Sequence, residues 1–247
     1  MKKKKFFVIM TALFSSSLVL NSGVFAADTS KPRDEQIKWT INFLKKQANQ
    51  NIDDVEEEIN KVNKDTSIEK FDMSKAKSRF EDVVFLGDSI TEYLKQANIL
   101  DASSVLAVKG EHVNNAKKHL KEIKNLKPKQ IVILYGANDI NSSSPEAYKE
   151  SYIDLIKTIK KENPKVKIYV QAPIPVDDSK TVNKDARINN ESVKNLTEKV
   201  KEVAKVTGVG YLPSEGLITS KSLYEPDGIH LKYNFYKNWL FYLSENI

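Results

Sequence analysis

The chain has 247 residues, 40% of them hydrophobic and 29% charged, enough for one domain of ordinary size with extensions and a core of its own. Its formal charge is +6, but residues 1–26 hold four Lys and no acid, so without them the charge falls by four to +2. The other Lys and Arg alternate with Asp and Glu, which reads as a solvated surface and excludes a nucleic-acid partner; the lack of cysteine excludes disulfides, thiolate metal sites, a cysteine nucleophile and a cysteine-linked lipid anchor.

The first 26 residues, MKKKKFFVIMTALFSSSLVLNSGVFA, read as a secretory signal peptide: four lysines, an apolar run from Phe6 to Leu20, then Val24 and Ala26 placed for cleavage. Ser15, Ser16 and Ser17 interrupt the run, which falls short of the roughly 20 apolar residues of a membrane span. The mature chain is therefore expected outside the cell, secreted or held at the cell wall, with no stable membrane insertion. Residues 27–79 form a charged extension with two helical stripes, Ile37, Ile41 and Leu44, then Ile52, Val55, Ile59 and Val62, separated at Asn49–Asn51. A helical hairpin is predicted there, with no catalytic residue in it.

From residue 80 onward short apolar runs alternate with longer amphipathic ones. Strands are predicted at 82–86, 104–108, 130–135, 167–172 and 209–212, and helices at 113–124, 145–162, 188–207 and 233–245. Such alternation implies an α/β fold over residues 80–247: a doubly wound, mostly parallel five-stranded sheet sandwiched by helices, since parallel strands need crossover helices to return the chain. The loops leaving the strands' carboxyl ends then gather at one edge, where ligands bind.

Four stretches fall at that edge: Gly87-Asp88-Ser89, Lys109-Gly110-Glu111, Gly136-Ala137-Asn138-Asp139 and, before the last helix, Asp227-Gly228-Ile229-His230. Each has an innocent explanation. Glycine permits tight turns, Asn and Asp punctuate loops, and Ser89 with Glu92 three residues later reads as a capping box. Together they supply what acyl transfer through serine requires. Ser89 would attack, His230 would act as base and then acid, and Asp227 would orient the imidazole. The N–H groups of Ser89 and Gly110 and the amide of Asn138 would form the oxyanion hole.

Gly87-Asp88-Ser89-Ile90, Gly110, Gly136-Ala137-Asn138-Asp139 and Asp227-Gly228-Ile229-His230 follow one another in the order of blocks of the SGNH hydrolases, the GDSL lipase and esterase family, which the chain resembles from about residue 80 to 247. The resemblance implies a flavodoxin-like sandwich, hydrolysis of carboxylic esters without metal or organic cofactor, and the same roles for Ser89, Gly110, Asn138, Asp227 and His230. It implies an ester substrate, an acylated polysaccharide or a small ester. One departure is the bulky Glu111 after Gly110, expected to narrow substrate choice. Pro173-Ile174-Pro175-Val176 is expected either to line the acyl or alcohol pocket or to form a rigid strand exit.

Other readings fit less well. Ser89 lacks the Gly-x-Ser-x-Gly setting of α/β-hydrolases, and Asp88 puts a carboxylate where a flavodoxin-like loop would cradle phosphate. His112 and His119 lack neighbouring acidic or cysteine ligands for a metal and are read as surface residues. The remaining alternative is an inactive polysaccharide- or partner-binding module on the same fold.

Overall fold

The computed structural model describes residues 71–181 and 184–247. The expectations for the signal segment and for residues 27–70 lie outside the described residues.

The strands are β1 (Val83–Gly87), β2 (Val105–Ala107), β3 (Gln130–Leu134), β4 (Lys167–Gln171) and β5 (Gly210–Leu212). All pair in parallel, in the order β2-β1-β3-β4-β5. Helices α1 (Ala76–Arg79), α2 (Ser89–Gln96), α3 (Leu120–Leu126), α4 (Pro145–Glu162), α5 (Asp178–Thr181), α6 (Asn190–Thr207) and α7 (Tyr233–Asn246) connect or flank them. This is the doubly wound sandwich that the alternation implies.

The strands' two-residue period sorts their side chains onto two cores. Val83 and Phe85 of β1 and Val132 and Leu134 of β3 face one core, where they meet Leu94 of α2 and Phe235, Trp239 and Leu243 of α7. Val84, Leu86, Ile131 and Ile133 face the other, against Tyr148, Tyr152 and Ile156 of α4 and Leu196, Val200 and Val203 of α6. Ala76 and Phe80, beside the extension boundary, are buried in the first core. A sheet buried on both faces explains why β1 and β3 read as unbroken apolar runs.

Local chemistry sets the helix ends. Ser144 caps α4, its Oγ accepting from Ala147 N–H at 3.2 Å, with Pro145 at the first helical position. Asn189 caps α6, and Gly208 ends it in the left-handed conformation at φ 63°. The predicted helix at 113–124 is a compound element: Val113–His119 is 3₁₀ and only α3 is α-helical. No side chain caps the 3₁₀ segment at His112, and Asn114 and Asn115 favour local backbone bonds over an α-helical turn.

Strand order reverses between β1 and β3, since β2 lies on one side of β1 and the rest of the sheet on the other. The crevice at that switch point is where such a sheet holds a ligand.

Candidate active site

At the end of β1 the chain turns directly into α2. Gly87 is required there: a Cβ would lie 2.1 Å from Thr91 Oγ1 and 2.4 Å from the Leu134 carbonyl oxygen. The N-cap of α2 is Asp88, whose Oδ1 accepts from Ile90 N–H at 3.0 Å. Ser89 is thus the first helical residue and not the cap, and the expected capping box does not form. As a first-turn amide, its N–H has no acceptor within the helix.

The Ser89 hydroxyl lies 3.0 Å from His230 Nε2, and His230 Nδ1 lies 2.6 Å from Asp227 Oδ2. Asp227 Oδ1 accepts from the N–H groups of Ile229 and His230, both at 2.9 Å, so the carboxylate is fixed by its own loop. Burial pushes the Asp227 carboxyl up, but the hydrogen bonds from the imidazole and these two amides outweigh it and hold the group at about 2. An ionised Asp227 fixes the proton on Nδ1 and leaves Nε2 as the acceptor facing Ser89.

The remaining two predicted residues line the same cleft of about 350 Å³ as Ser89 and His230. Gly110 is third in a turn closed by the Glu111 N–H to Val108 C=O bond of 3.0 Å, and its φ of 79° is the value such a position demands of glycine. Asn138 donates from Nδ2 to the Glu111 carbonyl at 3.2 Å, which ties its amide to the Gly110 loop. Ser89, Gly110, Asn138, Asp227 and His230 therefore converge, although they leave four different loops.

Three supporting groups escaped the sequence reading. Asp88 caps α2 with one oxygen and accepts from Ala137 N–H at 3.1 Å with the other, joining the Ser89 turn to the Asn138 loop. Burial pushes its carboxyl up to about 7, and Asp139 adds to the rise. Glu92 reaches out of its own turn to accept from Lys109 N–H at 3.0 Å, placing the Gly110 loop against α2. Asp139 is fully buried, with the His112 ring 3.5 Å from its Oδ1. An acid directly before the serine and spaced two residues from an amide is a capping signal that points to Asp88.

Two expectations change. Glu111 does not narrow the cleft: its side chain is buried away from it, 3.1 Å from His119 Nε2 and from Lys118 Nζ and 3.3 Å from the Tyr135 hydroxyl. His119 is correspondingly buried rather than on the surface, while half-buried His112 lines the cleft. Pro173, Ile174 and Val176 line a small apolar cavity of about 10 Å³ that shares Ala137, Ile188 and Ile229 with the cleft. Among the described residues no group of three His, Cys, Asp or Glu side chains could hold a metal, and no helix is long and apolar enough to cross a membrane.

Residues 85–237 match the model of the GDSL-like lipase/acylhydrolase family. Among solved structures, the lipase/acylhydrolase from Enterococcus faecalis is similar at a TM-score of 0.54 and 18% identity, covering 66% of this chain and 93% of that one. The GDSL-like lipase from Bacteroides thetaiotaomicron is similar at a TM-score of 0.53 and 16% identity, covering 75% of this chain and 96% of the other. These likenesses carry the fold. No curated protein sequence matches. The family match spans well over half of the chain and contains all five converging residues, so this chain belongs to the GDSL-like lipase/acylhydrolase family of ester hydrolases.

Proposed function

We propose that the protein is a secreted serine esterase that removes short acyl groups, O-acetyl above all, from extracellular or cell-wall polysaccharide or from small esters, through an acyl-enzyme intermediate. One observation carries the reading: the unbroken hydrogen-bond chain from the Ser89 hydroxyl through the His230 imidazole to Asp227, in a cleft open to solvent.

In acylation Ser89 Oγ bonds to the ester carbonyl carbon as His230 Nε2 takes its proton, and the carbonyl oxygen gains the negative charge. Amides of Ser89 and Gly110 and the Asn138 side chain are the donors available to that oxyanion. Collapse breaks the bond to the alcohol oxygen, which leaves with the proton from His230. Water, deprotonated by the same nitrogen, then attacks the acyl-serine; the carboxylic acid departs and Ser89 recovers its proton. The chemistry needs no electron carrier, and Asp227 stays ionised throughout.

The apolar side of the cleft favours a short acyl group. The cavity behind Ala137, Ile188 and Ile229 has room for about one water molecule, too little for a fatty chain. Secretion rests on the lysines, apolar run and cleavage residues of segment 1–26, and the polysaccharide on that location. The test is labelling with a serine-directed phosphonate, followed by a series of acetyl, butyryl and longer acyl esters. Labelling at Ser89 and turnover that falls steeply with acyl length are expected. Failure of both labelling and turnover would leave a binding module on a hydrolase fold.

A further inference from the structure

The two walls of the cleft differ in chemistry. Ala137, Ile188 and Ile229 form an apolar wall, whereas Lys109, His112, Asn141 and Ser142 form a polar one. No Asp or Glu lines the cleft. The carboxyl groups around it are engaged or buried: Asp227 is held by His230 and two loop amides, Glu92 by Lys109 N–H, Asp185 by Arg187 and the Asn141 amide, and Asp139 is buried behind His112. Arg187 is spent on Asp185 and on the Asn141 carbonyl. By contrast the Lys109 side chain is exposed, and its ammonium has no acceptor among the described residues.

His112 is held so that one ring nitrogen remains available. Ser142 Oγ donates its proton to the Asn138 carbonyl at 2.7 Å, so in its 3.2 Å contact with His112 Nδ1 it must accept. Nδ1 therefore carries a proton, and Nε2 is the ring atom left for a ligand. Behind the ring, 3.5 Å from Nδ1, lies the buried Asp139 carboxyl group, so Nδ1 faces the protein and Nε2 faces away from that acid. The His230 ring, bound by Asp227 and Ser89, is fully occupied by the proposed chemistry.

A cleft lined by an unpaired ammonium and an imidazole with one nitrogen to spare, and by no carboxylate, is complementary to an anion. Since the small apolar wall suits the acyl methyl, the anion belongs to the other half of the ester. We infer that the alcohol half of the substrate carries an anionic group, a carboxylate or a phosphate, which Lys109 and His112 receive on the polar wall; this rests on the esterase reading above and names its substrate class.

Three matched esters test it: para-acetoxybenzoate, para-acetoxyphenyl phosphate and the neutral isostere para-acetoxybenzamide, each at low and at physiological ionic strength. At low salt kcat/KM for at least one anionic ester should exceed that for the amide by about tenfold or more, through KM, and the excess should shrink as salt screens it. Whichever anion is favoured identifies the carboxylate or phosphate source. Lys109→Glu should invert the anionic-to-neutral ratio and His112→Gln should lower it several-fold. A ratio near one, or one that neither substitution moves, overturns the inference while turnover of the amide keeps the hydrolase reading intact. Loss of turnover of all three esters, with no phosphonate labelling of Ser89, defeats the hydrolase reading instead.

Discussion

Two histidine–carboxylate pairs lie within this one domain and do opposite things. In the first, Asp227 binds His230 through Nδ1 alone, and the far nitrogen meets the Ser89 hydroxyl at the floor of an open cleft. In the second, both oxygens of Glu111 converge on Nε2 of His119, each at 3.1 Å, and Lys118 and the Tyr135 hydroxyl close in on the same buried carboxylate. The imidazole of the first pair can take and return a proton at Nε2, because that ring nitrogen is left to meet a partner that reacts. The second is a cluster around a buried carboxylate whose product is position: it fixes Glu111, and the Glu111 carbonyl holds the Asn138 amide. A histidine next to an acid is therefore not a signature of catalysis; the attachment of the second nitrogen decides.

The largest expected effect breaks the first pair. Ser89→Ala and His230→Ala should lower kcat by on the order of 10⁴-fold or more, with thermal unfolding near that of the parent. Asp227→Asn should keep the loop but place the wrong proton on Nδ1, for a loss of about 10³–10⁴-fold. Unchanged ester turnover in Ser89→Ala would end the serine mechanism. Between the two regions stands Asn138, an oxyanion donor in the proposed chemistry that is held by the second pair's backbone. Asn138→Ala should cost about 10²–10³-fold in kcat with little change in KM.

Breaking the second pair should reverse the pattern. His119→Ala leaves a buried carboxylate with only Lys118, itself half exposed, as a charged partner, and should destabilise the fold by about 3 kcal/mol. Its Ser89 should still label with phosphonate at temperatures where the variant is folded. Urea unfolding and labelling, measured on His119→Ala and His230→Ala together, separate the two pairs. If His230→Ala lost the stability and His119→Ala the labelling, the assignment of roles would be wrong.

The difference between the pairs also marks what could be read along the chain. Asp227 and His230 are three residues apart, and the central strands β1 and β3 were legible to within a residue because burial on both faces imposes apolar runs. Convergence on Ser89 follows from topology, since parallel strands bring their carboxyl ends to one edge. Glu111 and His119 are also near in sequence, yet their pairing depends on Tyr135 and on the 3₁₀ form of the segment that ends at His119, and no local pattern reports that. The same holds for Glu92. Its spacing from Ser89 imitates a capping box, but the strand end is so tight at Gly87 that Asp88 takes the cap and Glu92 is freed to reach Lys109. Where a side chain's partner lies on another loop, sequence spacing names the wrong one.

The smallest expected effect concerns the acids behind both regions. Asp88 and Asp139 are fully buried, and burial raises both carboxyls above the ordinary range, partly offset by the amides on Asp88 and by His112 beside Asp139. In the unfolded chain they would titrate near 4. Between about pH 4 and Asp88's value of about 7 the folded state then holds more protons than the unfolded one, so their contribution to stability is greatest below that window and declines as pH rises through it. Asp227, held at about 2, acts in the opposite sense but only below pH 4, where protonation would cost stability, and it is ionised in both states above. From pH 5 to pH 8 the unfolding free energy should drop by on the order of 4 kcal/mol from the two buried acids, and Asp139→Asn, which removes the acid raised less, to about 6 against about 7, should remove the smaller part of that drop, about a third. Urea midpoints of the parent and the variant at the two pH values measure the difference, with the three histidines common to both chains. An equal drop in both would mean that Asp139 titrates in the fold as it does in water, despite being sealed from it.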